Sequence, residues 1–402
     1  MAEAPKDLNR RGITTLSIGH ACVDICQGAV PAMLPFLIHD HGYSYSQATA
    51  LLLVMTFTSS LIQPLFGFLA DKRSLSWLLP AGIACAGVGI AGAGFAGSFE
   101  VTLLAIALSG LGVGAYHPEG ARYANYVSGD QRSAGMSFYS VGGNIGFALG
   151  PILVTPLILL LGFSGIAWIL VPLTAGALLL AFSLPWLGTF RPEHQAAKTK
   201  GEAESTPDRW WPFAGVAGIA GFRSAAYFGM QAFVPLYFIS HWDASTALGN
   251  TALTVLLVFG AVGTIAGGQL ADRVGKKMIM MVSLGVLAPL ILLFMVSNEA
   301  AGIVLMAAIG FFMVGTFAIT VVLGQDFLPN RIGVASGVTL GAAIGFGGFV
   351  AYLLGILADH TSVTTVMFVI AALPLPAFLI SLVLPEPVEE KVAEAWPEGQ
   401  TA

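Results

Sequence analysis

The chain has 402 residues, of which 17 are Lys or Arg and 22 are Asp or Glu, so charged side chains are 10% of it, against about 25% in soluble domains. With 56% hydrophobic residues and 49 Gly, a soluble globule could not cover its surface, and disorder, collagen and a disulfide scaffold are excluded too. The composition is that of an integral membrane protein, and neither the net charge of −5 nor any basic run points to nucleic acid.

A helix needs about 20 mainly apolar residues to cross a hydrocarbon core of roughly 30 Å, and lipid forces its backbone groups to pair internally. Twelve such segments are predicted. The first, 13–37, carries His20, Asp24 and Gln27; it is too long and too Pro-broken for a cleaved signal peptide. The second, 46–70, runs into Asp71-Lys72, and the Gly-rich third covers 76–96. The fourth, 100–124, holds Tyr116, His117, Pro118, Glu119 and Arg122, and the fifth, 133–161, holds Asn144, Gly146, Gly150 and Pro151. The sixth covers 165–187. Residues 188–210 are polar, charged and Pro-flanked, and read as a cytoplasmic linker. The seventh, 211–239, carries Arg223, Tyr227 and Gln231; the rest are 246–271, 277–297, 300–323, 332–358 and 362–384. Cys22, Cys26 and Cys85 all lie in apolar stretches and read as small core residues.

Basic residues collect on the cytoplasmic side of membrane proteins. With the N-terminus inside, sixteen of the 17 bases fall on the inner side, Arg122 at the inner end of its span among them, none falls in the outer loops around 38–45, 97–99, 162–164, 240–245, 298–299 and 359–361, and the seventeenth, Arg223, lies deep inside a span. The expected localisation is the cytoplasmic (inner) membrane, multi-pass, with both termini cytoplasmic.

The two halves repeat. Gly67-Phe-Leu-Ala-Asp71-Lys72 returns as Gly268-Gln-Leu-Ala-Asp272-Arg273, an offset of 201. Ala32-Met-Leu-Pro35 matches Ala232-Phe-Val-Pro235 at 200, and Gln131-Arg132…Gly142…Ile145-Gly146-Phe147 matches Asn330-Arg331…Gly341…Ile344-Gly345-Phe346 at 199. Near-constant offsets indicate a duplicated six-helix unit, an architecture that places a substrate site between the halves. The expected fold is all-α integral membrane, with twelve transmembrane helices in two pseudo-symmetric six-helix bundles. The expected division is an N-terminal bundle over 1–187, a linker over 188–210 and, over 211–402, a C-terminal bundle with an acidic tail.

The Gly-x-Leu-Ala-Asp-basic motif between spans two and three, and again between eight and nine, resembles the major facilitator superfamily. The second copy, Gly268 to Lys277, follows that loop motif closely; the first keeps Asp71 but lacks the later Gly and basic pair. Within the superfamily the first half is similar to the fosmidomycin-resistance group of efflux proteins. The residues are Gly19-His20 with Asp24, Gln63-Pro64 with Asp71-Lys72, His117-Pro118-Glu119 with Arg122, Ser128-Gly129, and Gly142-Gly143-Asn144…Gly150-Pro151. The resemblance implies a proton-driven transporter with no cofactor. It also implies that Asp71, Lys72, Asp272 and Arg273 hold the halves together through loop charge pairs. Gly146 to Pro151 is similar to the fifth-helix signature of proton-coupled antiporters. Many drug exporters of the superfamily carry an Arg at the position of Ile106, so here the coupling group must lie elsewhere.

A charge inside the bilayer costs about 3 kcal/mol or more, so such residues are functional candidates. Asp24 lies about 16 Å into the first span at 1.5 Å per residue, near the midplane, and His20, Asp24 and Gln27 follow i, i+4, i+7 on one helix face. Asp24, Glu119 and His117 are the proton-coupling candidates, the alternative being structural ion pairs. Arg223, Tyr227, Gln231, His20, Gln27, Tyr116 and Asn144 are the substrate-binding candidates. A guanidinium offers paired donors to a phosphonate, phosphate or carboxylate, unless Arg223 is spent neutralising Asp24 or Glu119. Gly146, Gly150 and Pro151 join the loop charges as gating candidates, since small residues let helices approach and slide.

The function these residues predict is secondary active transport, as proton-coupled export of a small anionic or polar compound such as a phosphonate. The competing readings are export of a metal or metallophore at a His/carboxylate site, and facilitative or symport carriage of an organic anion. No hydrolase constellation is present, so an enzyme is not expected. The expected partners are a small-molecule substrate, protons and the lipid bilayer, with the protein a monomer and no metal as cofactor.

Overall fold

The computed structural model describes residues 7–72, 75–129, 131–190 and 207–386, and leaves the side chains of residues 61, 64, 67, 68, 70–72 and 133 undescribed. Most of the predicted linker and acidic tail, and the side chains of Asp71 and Lys72, thus lie outside the described residues.

Within them the twelve predicted spans are twelve helical crossings. The first six are Arg10–His41, Tyr45–Lys72, Leu78–Ala93, Phe99–Val127, Arg132–Leu161 and Phe163–Phe190. The second six are Trp210–Trp242, Thr246–Val274, Lys276–Val296, Glu299–Phe327, Pro329–His360 and Val363–Val383. The described residues contain no strand. Each helix exposes large apolar side chains on its outer face, among them Phe182, Trp211 and Val296. In water such a surface would drive aggregation; against lipid it is the solvated face.

The ends follow local chemistry. The Asn9 side chain accepts from the Gly12 amide at 2.8 Å to open the first helix, and Gly42 closes it at φ 68°, in the left-handed region that a glycine enters without penalty. Internal breaks fall where the sequence weakens a helix. The tenth span kinks at Thr316, the twelfth ahead of Pro374, and the eleventh widens into a π-turn over Gly337–Ala342. Proline removes a backbone donor; π-turns add one residue to the helix and are often functional.

An even number of crossings puts both termini at one end. At the opposite, far end the halves are joined. Asp359, closing the eleventh helix, accepts from the amides of Tyr45 and Ser46 at 2.7 and 3.0 Å, capping the second helix from the other half. Nearby, Asn250 of the eighth helix donates to the Ala32 carbonyl at 3.0 Å and to Thr155 Oγ1 at 2.8 Å. Toward the termini end, the second and eleventh helices part around a cavity of about 670 Å³, lined by Leu53, Phe57, Gln63, Leu340, Gly345 and Phe349 among others.

Candidate functional site

The first and fifth helices form the tightest seam of the first half, and glycine is the reason. A Cβ at Gly142 would collide with the Ser17 carbonyl, at Gly146 with that of Ala21, and at Gly150 with the backbone of Gly28. These three glycines recur every four residues, a small-residue ridge that lets two backbones touch. Gly143 lies beside that ridge, where a Cβ would sit 2.6 Å from His20 Cε1 and 2.7 Å from Asp24 Oδ2. Its missing side chain leaves room for a polar group in the core.

That group is a four-residue cluster. Asp24 Oδ2 lies 3.2 Å from His20 Nε2, and Asp24 Oδ1 lies 3.5 Å from His117 Nε2. The two histidine Nε2 atoms are 3.3 Å apart, and Gln27 Nε2 donates to Asp24 Oδ1 at 2.8 Å. The far nitrogens fix the tautomers. His20 Nδ1 is 2.8 Å from the Tyr139 carbonyl and His117 Nδ1 is 2.8 Å from the Val113 carbonyl. A carbonyl only accepts, so each Nδ1 carries a hydrogen and donates. Neutral rings would then turn two Nε2 lone pairs onto each other and onto a carboxylate. Acceptors at such distances repel unless a positive charge lies among them, so the cluster is built to hold one proton or one cation.

Aromatic rings wall it. His20 stacks on Tyr139 with centroids 4.1 Å apart, and more loosely on Tyr116 at 6.2 Å. Tyr116 donates its hydroxyl to the Leu16 carbonyl at 3.1 Å and is fully buried, so it shapes the cluster through packing. The His117 side chain keeps 22% of its exposure, the most open of the three charged groups.

Glu119 does not join, although it is two residues from His117. It accepts from the Leu75 amide at 3.2 Å and faces Arg122 at 3.7 Å, tying the fourth helix to the start of the third. Two residues along a helix turn a side chain roughly 200°, so the neighbours point to opposite sides. Asn144 is half-buried and makes no side-chain hydrogen bond among the described residues.

Arg223 of the seventh helix is 2% exposed. Its guanidinium lies over the Phe317 ring at 4.6 Å, a cation–π contact worth about 2 kcal/mol when desolvated. Among the described residues Nε and Nη2 have no hydrogen-bond partner, and neither does Nε2 of Gln231 two turns on. No ion pair joins Arg223 to Asp24 or Glu119 among the described residues, so neutralisation by either is not what holds it. Tyr227, one turn from Arg223, is half-buried. In the last turn of the eighth helix Asp272 and Arg273 are exposed; the ion pair formed nearby is Lys276 to Asp326, at 2.7 Å.

Sequence reasoning missed Tyr139, Phe317, Asn250 and Asp359. Asn250 carried a signal, being a lone amide in an apolar run. Tyr139 and Phe317 carried none, since aromatics are ordinary in lipid-facing helices.

Two pseudo-symmetric six-helix bundles with ionisable groups buried at mid-membrane define a membrane transport protein, not an enzyme. Residues 16–351 match the family model of the Major Facilitator Superfamily, and the chain belongs to that family. It is 32% identical to the uncharacterized MFS-type transporter YfnC of Bacillus subtilis (strain 168), over 94% of this chain and 93% of that one. It is 31% identical to the fosmidomycin resistance protein of Escherichia coli (strain K12), over 92% of each. Among solved structures, a bacterial homolog of the human lysosomal transporter Spinster, in an inward-facing and occupied conformation, superposes with a TM-score of 0.76 at 15% identity, over 94% of this chain and 97% of that one. A point mutant of the nucleoside transporter NupG superposes at 0.70, also at 15% identity, over 92% of this chain and 99% of that one. These two share the fold.

Proposed function

We propose that this transporter exports a small anionic compound of phosphonate, phosphate or carboxylate type in exchange for protons, by alternating access, from a cytoplasmic membrane with both termini on the cytoplasmic side. The carrying observation is the buried Arg223 guanidinium, with Nε and Nη2 unpartnered. A desolvated charge without a counterion is costly, and a bidentate oxyanion is the ligand its fork fits. Gln231, two turns along the same helix, offers a further unpartnered donor among the described residues, and Tyr227 lies between the two in sequence. The name of the Escherichia coli relative supports a phosphonate-type drug as one cargo.

Coupling falls to Asp24 with His20 and His117, which need one proton to be at rest; Gln27 orients the carboxylate. Glu119 and Arg122 steady the third and fourth helices. The bundles 1–187 and 211–402 move against each other as units, with Gly146, Gly150 and Pro151 on the seam that keeps the first and fifth helices together inside the first bundle. The chain works as a monomer, and the proton gradient is its energy source.

The test is purified full-length protein in liposomes. Adding fosmidomycin to one side is expected to drive protons the other way, with Arg223→Ala inactive and Asp24→Asn moving substrate only down its own gradient. Flux through Asp24→Asn with the wild-type pH dependence would overturn the coupling assignment, and fosmidomycin binding unchanged in Arg223→Ala would overturn the anion site.

A further inference from the structure

We infer that the His20–Asp24–His117 cluster is also a binding site for a divalent transition-metal ion of the zinc type, which takes the place of the shared proton. Three observations converge. The ligand atoms of the three residues all lie within 4.8 Å of one another, and the closest approaches are 3.2, 3.3 and 3.5 Å. A tetrahedral ion with ligands at about 2.0–2.1 Å has ligand–ligand edges of about 3.3–3.4 Å, so His20 Nε2 already stands at edge length from both Asp24 Oδ2 and His117 Nε2. Direct hydrogen bonds between the same atoms would draw to about 2.7–2.9 Å.

The tautomers are also those a metal demands. Both histidines donate Nδ1–H to a backbone carbonyl, Tyr139 and Val113 respectively. That is the outer-shell arrangement that turns Nε2 lone pairs toward an ion and fixes ring orientation. Gln27 holds Asp24 Oδ1 at 2.8 Å and leaves Oδ2 for the ion. Two imidazoles and a carboxylate, with no thiolate, suit zinc, nickel or cobalt over calcium or magnesium. Gly143 keeps the space clear, and the partly exposed His117 gives a way in. Three protein ligands leave the fourth corner open for water or an anion.

Binding can be read without any transport measurement, so it stands or falls apart from the proposed anion exchange. Zinc chloride titrated into the detergent-purified full-length protein by calorimetry is expected to bind one ion per chain. His117→Gln and Asp24→Asn are expected to weaken it by more than about tenfold. Replacing the helix-end histidines His39, His41, His241 and His360 together by Ala is expected to leave it unchanged. Cobalt added to the wild-type protein is expected to give the visible bands of a four-coordinate ion, a readout that needs no variant to fold. Absence of those bands, or zinc binding that follows the helix-end histidines instead of His117 and Asp24, would overturn the site.

Discussion

The first and seventh helices are pseudo-equivalent, yet their polar centres are opposites. In the first half, His20, Asp24, Gln27 and His117 pair among themselves and need one added positive charge. In the second half, Arg223 stands over Phe317 with two nitrogens unpartnered and needs a negative one. Duplication supplied two frames of the same helices. Divergence gave one frame a carboxylate with two imidazoles and the other a lone guanidinium, and the proposed exchange uses one for a proton and the other for an anion.

Packing divides the halves in the same way. Gly142, Gly146 and Gly150 press the fifth helix onto the backbone of the first. At their repeat partners Gly341 and Gly345, at an offset of 199, an added Cβ would meet no atom of another helix within 4 Å, and both line the 670 Å³ cavity beside the second helix. Phe349 replaces the third glycine, and the π-turn over Gly337–Ala342 loosens the same stretch. The clamped seam holds the His20–Asp24–His117 cluster in register, while the eleventh helix stands open over Gly341 and Gly345 and meets the second closely only farther along, at Gly348 on Thr56 and Gly355 on Thr49.

The largest expected effect tests the contrast in charge. Arg223→Met should lose the anion by about 2–5 kcal/mol, the usual result of truncating a buried charge at its partner. Without anion it should melt at the same or a higher temperature than wild type, because an unpaired charge has left the core. A melting temperature clearly below wild type in anion-free buffer would mean that Arg223 has a partner at rest. Next comes the contrast in packing. Gly146→Ala should destabilise by about 1–3 kcal/mol through overpacking, whereas Gly345→Ala should change the melt by less than about 0.5 kcal/mol. Equal losses at both positions would erase the difference between the seams.

The smallest effect concerns the latch that joins the halves. Asp359→Ala removes a helix cap worth about 1 kcal/mol, which should raise the population open at the far end about fivefold. Labelling of a cysteine placed at Thr49, buried under Gly355 in the closed arrangement, reads that population. Unchanged labelling would show that the cap does not bias the equilibrium.

Much of the candidate site's geometry was legible. The i, i+4, i+7 spacing set His20, Asp24 and Gln27 on one face, and depth in the bilayer singled out Arg223. His117 and Glu119 looked alike in sequence because both are ionisable in the same turn. Only the azimuth of each side chain, fixed once the fourth helix packs, sends one into the cluster and the other to Leu75 and Arg122. Whether Arg223 paired with an acid was equally open, since any acid at similar depth was eligible.

The sequence by itself determined the class, the twelve crossings and the duplicated plan, because hydropathy, base distribution and repeat offsets are properties of the chain taken in order. The tertiary structure alone decided which charges meet, that the fifth helix is clamped where the eleventh opens over Gly341 and Gly345, and that Arg223 has no acid beside it among the described residues. Those depend on helix rotation and on distances of a few ångströms between residues a hundred or more positions apart, and no local pattern along the chain carries that information.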